Sequence, residues 1–185
     1  MTMPDRAKTQ EILDTAEVLF TAAECDAALE RMAAEITADL GDAYPLLLPV
    51  MGGAVVFTGK LLPLLRFPLD FDYVHVSRYG DKLEGGNFSW TRAPQLQKVE
   101  GRDVLILDDI LDEGQTMRVI TEQVMAMGAK SCKCAVFANK LLNKEKPITA
   151  DYVGLDVPNR YVFGYGMDVS GAWRNLGEIY ALKDH

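Results

Sequence analysis

Apolar positions along the chain follow two periods, and their alternation organises the sequence. Ala28, Met32, Ile36 and Leu40 recur at helical spacing before Gly41, and the first forty residues as a whole read as two helices. Pro45 to Val50, PLLLPV, is a continuous apolar run of the kind a buried strand needs. Met51-Gly52-Gly53 then supplies a tight turn, and a helical stretch follows to about Arg66. Phe71 to Ser77 alternates apolar and polar residues like a strand. Val104 to Leu107 is a second buried strand, Gln115 to Met127 a helix stopped by Gly128, and Lys130 to Ala138 a third strand. Strands alternating with helices predict an α/β fold, a parallel twisted sheet flanked by helices with right-handed crossovers. After Asp151 the pattern turns to short strands and turns, which predicts a small hood over residues 151–185 joined by part of the N-terminus. The core then spans residues 40–150. No repeat or linker divides the chain, so one domain is expected.

Between Tyr79 and Arg92 the sequence GDKLEGGNFSWT is polar and glycine-containing, with aromatics interspersed. A loop of this length in a compact domain is usually functional. The other informative stretch is Val104 to Thr116, VLILDDILDEGQT. A buried strand runs into Asp108 and Asp109, then through two apolar residues to Asp112-Glu113-Gly114-Gln115-Thr116 at a helix start. In an open parallel sheet, ligands bind at the carboxyl ends of the strands, where this turn lies. Backbone N–H groups at a helix start, with a permissive Gly114 and the Thr116 hydroxyl, form an anion cradle that needs no basic side chain. Paired carboxylates beside it can accept hydrogen bonds from a vicinal diol or hold Mg²⁺. The turn therefore has a diol site and a phosphate site at ribose 5-phosphate spacing. It is not a P-loop, which requires GxxxxGK[ST].

Charge narrows the partners. The net charge of -8 over 185 residues argues against nucleic-acid binding by phosphate neutralisation. A small-molecule phosphate remains open, because local donors and a divalent cation can attract it to an acidic protein. No apolar run approaches the ~20 residues that span a bilayer, and the polar start MTMPDRAKTQEILD is unlike a signal peptide. The three cysteines, Cys25, Cys132 and Cys134, have no metal-ligand spacing, so a reduced, cytoplasmic protein without membrane contact is expected. Cys132 and Cys134 lie in one strand, one read as core and the other as facing away.

VLILDDILDEGQT resembles the phosphoribosyl-pyrophosphate signature of type I phosphoribosyltransferases. PVMGG, SRY before the long loop, ANK, RYVFGYGMD and WRNL match the hypoxanthine-guanine branch in the same order, from about Pro45 to Leu176. The resemblance implies a type I phosphoribosyltransferase fold, Mg²⁺ as cofactor, phosphoribosyl pyrophosphate and a 6-oxopurine base as substrates, and a homo-dimer or homo-tetramer. By the same resemblance, Asp108 and Asp109 bind the ribose hydroxyls, directly or through Mg²⁺. Asp112 is the proton acceptor near purine N7, and Asp112 to Thr116, with Glu113, Gly114 and Gln115, cradles the 5-phosphate. Met51, Gly52 and Gly53 form the pyrophosphate loop, where a non-proline cis peptide is implied, and Arg174 binds pyrophosphate. Tyr79, next to Arg78, covers the site. Lys140 donates to the 6-oxo group, Tyr161 stacks on the purine, Val162 contacts its edge, and Asp168 helps hold a second Mg²⁺.

On the residues alone, Lys140 reads equally as a solvated strand-end lysine, Tyr161 as core, and Asp168 with Arg174 as a surface ion pair. The chain also departs from the resemblance. Gly52 stands where some relatives have lysine, and Glu113 and Gln115 stand where many have Thr and Lys, so Glu113 adds negative charge beside a phosphate. An ammonium donor at Lys140 suits a 6-oxo group and opposes the 6-amino group of adenine. That favours hypoxanthine and guanine, with a xanthine-preferring or other base-specific transferase, or a non-catalytic nucleotide-sensing regulator, as the alternatives.

Overall fold

The continuous apolar runs pair with one another at the centre of a five-stranded sheet. The computed structural model of the chain describes residues 5–79 and 87–183, and their side chains except those of Arg78, Tyr79 and Asn87. Its elements are α1 (Arg6–Thr15), β1 (Glu17–Phe20), α2 (Ala22–Leu40), β2 (Leu46–Pro49) and α3 (Val55–Leu61), which ends in a 3₁₀ turn at Leu62–Leu64. They continue with β3 (Asp70–Phe71), β4 (His75–Tyr79), β5 (Asn87–Arg92), α4 (Leu96–Val99), β6 (Asp103–Leu111) and α5 (Gln115–Ala126). The chain closes with β7 (Ser131–Lys140), β8 (Tyr152–Val157), β9 (Val162–Phe163) and β10 (Ile179–Ala181).

The main sheet has the order β3-β2-β6-β7-β8, and every pairing in it is parallel. Successive residues of the central strands go to opposite faces. Leu47, Leu105, Leu107, Ala135 and Phe137 pack with α2 and α3. Leu46, Leu48, Val104, Ile106, Cys134 and Val136 pack with Met117, Ile120 and Val124 of α5. Burial on both faces explains why these strands read as unbroken apolar runs. The expected α/β sheet flanked by helices is what forms.

Helix α2 starts at a capping box: Thr21 Oγ1 accepts from the Glu24 N–H at 3.3 Å, and the Glu24 carboxylate accepts from the Thr21 N–H at 2.8 Å. A second sheet, antiparallel and ordered β1-β10-β9, joins the two ends of the chain. Trp173 donates its indole N–H to the Thr9 carbonyl at 2.8 Å and so ties α1 to the C-terminal segment.

The structure corrects four expectations. The segment after Asp151 does not leave the main sheet at once. Tyr152–Val157 is its fifth parallel strand, and the short strands expected there begin only at Val162. The strand read over Phe71 to Ser77 is two pieces: β3 edges the main sheet, whereas β4 pairs antiparallel with β5. The segment Tyr79 to Arg92, read as loop, contains β5, with Ser77 opposite Ser89 and Val76 opposite Trp90. Cys132 and Cys134 do not face opposite ways. Cys134 is buried and Cys132 packs against the same cluster, because residues two apart share a strand face.

Candidate active site

The carboxyl ends of β2, β6 and β7 meet where a ligand would be expected. Strand β6 continues past its apolar half. Asp108 pairs with Val136 and Leu111 with Asn139, so Asp108 and Asp109 lie within the ladder and not after it. The Asp108 carboxylate accepts from the Asp109 N–H at 2.9 Å, and the Asp109 carboxylate from the Ile110 N–H at 2.8 Å. Burial, and then the charge of its neighbour, hold the Asp108 carboxyl well above the ordinary range; burial raises Asp109 as well.

After Leu111 the chain turns through Asp112, Glu113 and Gly114 into α5. Gly114 caps the helix with φ +81 and brings no side-chain hydrogen bond to its first turn. The N–H groups opening α5 therefore receive no hydrogen bond from the side chain of their N-cap residue, and open N–H groups at a helix start can accept an anion. Gly114 is required here because its positive φ disfavours any side chain.

The pyrophosphate-loop candidates lie against Asp109. The Met51–Gly52 peptide is cis, as the resemblance implied. A Cβ on Gly53 would stand 2.2 Å from Asp109 Oδ2, and one on Gly166 would stand 2.1 Å from the Gly53 carbonyl oxygen. The loop after β2, the paired acids and the turn after β9 are therefore in backbone-level contact. Arg174 approaches the same turn. Its guanidinium donates to the Gly166 carbonyl at 2.7 Å and pairs with Asp168 at 2.7 Å. The Asp168 carboxylate also accepts from the Gly171 N–H at 2.8 Å.

The base-binding candidates also come together. A cavity of about 200 Å³ is lined in part by Asp109, Asp112, Lys140, Tyr161, Val162 and Asp168. Lys140 ends β7, and its side chain is only 13% exposed. It reaches across to Asp112 at 2.7 Å. Tyr161 is 52% exposed, and its hydroxyl donates to the Asp168 carbonyl at 3.2 Å. The neighbouring Val162 is buried and fixed in β9, opposite Ala181. Asp108, Asp109, Asp112 to Thr116, Gly52, Gly53, Lys140, Tyr161, Val162, Asp168 and Arg174 thus share one end of the molecule. The side chains of Arg78 and Tyr79 lie outside the described residues, as do residues 80–86 of the segment read as covering the site.

Sequence reasoning missed the segment between β7 and β8. Lys144 pairs with Glu113 at 2.6 Å, and Lys146 donates to the Leu111 carbonyl and to Asn139, both at 2.7 Å. Burial lowers the Lys146 ammonium below its ordinary value. The three lysines in Lys140 to Lys146 look like a solvated charge run in sequence, and only their spacing from the acidic turn would have hinted at contact.

The residues fit a divalent cation of limited protein ligation. Among the described residues no group of three or more His, Cys, Asp or Glu is arranged to hold a metal. Mg²⁺, however, typically takes one or two carboxylates and completes its octahedron with water and substrate oxygens. Asp108 and Asp109, adjacent and disfavoured as bare anions, are such a pair; Asp168 is already engaged by Arg174. No helix among the described residues is long and apolar enough to cross a membrane.

A phosphoribosyl transferase domain family matches residues 17–170. A hypoxanthine-guanine phosphoribosyltransferase of Bacillus subtilis (strain 168) is 34% identical over 92% of this chain and 94% of its own length. Among solved structures, a hypoxanthine-guanine-xanthine phosphoribosyltransferase superposes with a TM-score of 0.79 at 31% identity, over 92% of this chain and 99% of that one. A variant hypoxanthine phosphoribosyltransferase from Trypanosoma cruzi, in a ternary substrates complex, does so with a TM-score of 0.83 at 30% identity, over 92% and 97%. With the family model spanning most of the chain and a relative of 34% identity covered almost end to end, the chain belongs to the hypoxanthine-guanine phosphoribosyltransferase family.

Proposed function

We propose that the chain transfers the 5-phosphoribosyl group of phosphoribosyl pyrophosphate to hypoxanthine or guanine, giving IMP or GMP and pyrophosphate in purine salvage. The observation that carries the reading is the cavity in which Lys140, Asp112 and Tyr161 meet beside the paired acids and the uncapped start of α5. The C1–oxygen bond to pyrophosphate breaks, a C1–nitrogen bond to the purine forms, and the base gives up one proton. Asp112, within reach of the base site, accepts that proton at N7, a contribution worth about 10²–10⁴-fold. Lys140 donates to the 6-oxo oxygen, Tyr161 stacks on the ring and the Val162 backbone meets its edge. The N–H groups of Glu113 to Thr116 and the Thr116 hydroxyl hold the 5-phosphate.

Asp108 and Asp109 take the ribose hydroxyls, directly or through Mg²⁺. The Met51-Gly52-Gly53 loop and Arg174 hold the leaving pyrophosphate. Asp108 and Asp109 would hold Mg²⁺, with Asp168, once released from Arg174, helping to hold a second ion, and the bound metal would supply charge neutralisation for the pyrophosphate. Preorganised donors of this kind usually supply the largest share of catalysis. The active form is a homo-dimer or homo-tetramer in the cytoplasm. Lys140 sets base choice, because facing an adenine 6-amino group it would oppose donor to donor.

Steady-state kinetics with hypoxanthine, guanine, xanthine and adenine at saturating donor and Mg²⁺ test the reading. Turnover is expected with hypoxanthine and guanine and not with adenine. Xanthine turnover above both would move the assignment to the xanthine-preferring class, and no pyrophosphate release with any base would reject catalysis.

A further inference from the structure

The turn that cradles the phosphate in the proposed reading carries a residue of the wrong charge. Glu113 lies between Asp112 and the Gly114 cap, so its carboxylate competes with an incoming phosphate dianion for the same positive end of α5. The segment between β7 and β8 answers this in three successive places. Lys144 Nζ lies 2.6 Å from Glu113 Oε1. Lys146 Nζ donates to the Leu111 carbonyl, just before the turn, and to Asn139 Oδ1, both at 2.7 Å. Pro147 and Ile148 close over Gly114, whose absent Cβ would stand 3.4 and 3.3 Å from their side chains. The segment therefore buttresses the back of the turn and brings a cation to its acid. Lys144 also opens onto a cavity of about 460 Å³ with Asp112, Glu113, Lys140 and Asn159.

We propose that Lys144 is a positioning residue for the phosphorylated sugar: by pairing with Glu113 it cancels the carboxylate's charge and holds it off the phosphate seat. The inference rests on the seat assigned under the phosphoribosyl-transfer reading, but not on turnover. Lys144 is 60% exposed and Glu113 29%, and ion pairs so exposed add little to stability. Its consequence is therefore expected in ligand binding and not in the melting temperature. The acid at Glu113, where many members of the resembled family have Thr, and the lysine that meets it are thereby explained together.

The test measures ribose 5-phosphate affinity by calorimetry, and the KM for donor and hypoxanthine, on the full chain and its variants. Lys144→Gln is expected to weaken ribose 5-phosphate binding and raise donor KM about five- to tenfold, as for a partly screened charge. Hypoxanthine KM and kcat should move less than twofold. Lys144→Arg should recover most of the loss, and so should Glu113→Gln added to Lys144→Gln. Wild-type affinity in Lys144→Gln, or a double variant no better than Lys144→Gln alone, overturns the proposal. So does a wild-type chain that does not bind ribose 5-phosphate. If that sugar binds and responds to the variants as described but no base is turned over, the transfer reading fails and the role of Lys144 stands.

Discussion

Lys140 Nζ lies 2.7 Å from Asp112 Oδ2, so the group proposed to donate to the purine and the group proposed to take its proton hold each other. The two come from the ends of neighbouring strands, β6 and β7, and the parallel ladder sets their approach. A base that enters must divide this pair, presenting an oxygen to the lysine and a protonated nitrogen to the carboxylate. A ligand with that pattern replaces what it breaks, and one without it leaves a charge unpaired in a confined site.

Asp112→Asn removes the proton acceptor while keeping shape and hydrogen bonding. The expected result is a loss in kcat of about 10²–10⁴-fold, with base and donor affinities changed only a few-fold. Equal, small losses in all three parameters would reject the assignment.

Lys140→Met removes the donor to the 6-oxo group. A hydrogen bond from a charged group is worth about 1.5–3 kcal/mol, so the KM for hypoxanthine and guanine should rise roughly 10- to 100-fold. Discrimination against adenine should fall at the same time. Unchanged discrimination would place base selection elsewhere.

The two glycines after Met51 should respond differently. A Cβ on Gly52 meets no atom within 4 Å, whereas one on Gly53 would stand 2.2 Å from the Asp109 carboxylate. Gly52→Ala should keep near-wild-type donor KM and stability. Gly53→Ala should displace Asp109 and lower kcat/KM for the donor by at least about tenfold, the cost of about 1.4 kcal/mol at the transition state. Similar behaviour in the two variants would contradict the close contact.

The β4–β5 ribbon is anchored by an ion pair. Asp72 is 5% exposed and its carboxylate accepts from the Arg92 guanidinium at 2.6 Å. Burial alone would raise the Asp72 carboxyl; the Arg92 hydrogen bond, the Tyr73 N–H and the charges of Arg92 and Lys98 outweigh it and leave it lowered. Arg92→Met, which leaves the buried acid without its charged donor, should cost about 2 kcal/mol, roughly 4–8 °C in Tm for a chain of this size. A group whose folded pKa is depressed stabilises above its unfolded value, near pH 4, and loses that contribution as pH falls through the folded one. The difference between wild type and Arg92→Met should therefore be full above about pH 5 and shrink below about pH 4. A pH-independent difference would show that packing, not charge, is responsible.

What could be read from the sequence was what is local. The runs at Leu46–Pro49 and in β6 and β7 are apolar because both faces are covered, and α2 announces itself by period and cap. Strand β8 was hidden because YVGLDV holds Gly154 and Asp156 and is only intermittently buried. Strand β1 escaped notice because its four residues pair with β10 at the far end of the chain, a contact no local pattern records. The turn proposed to seat the phosphate was legible as a strand–turn–helix because strand, acids, glycine and helix are contiguous. The grouping of Lys140 with Asp112 and Tyr161 came only through motif order, since these residues are brought together by the sheet. The buttress at Lys144, Lys146, Pro147 and Ile148 was not legible at all, because its role exists only against the surface of the turn.

The central claim is that the turn from Asp112 to Thr116 seats the 5-phosphate, and a crystal structure of the chain with GMP and Mg²⁺ tests it most directly. The account predicts the phosphoryl oxygens within hydrogen-bond distance of the N–H groups opening α5, with the guanine 6-oxo oxygen on Lys140 and the ring on Tyr161. A phosphoryl group seated away from this turn would contradict it.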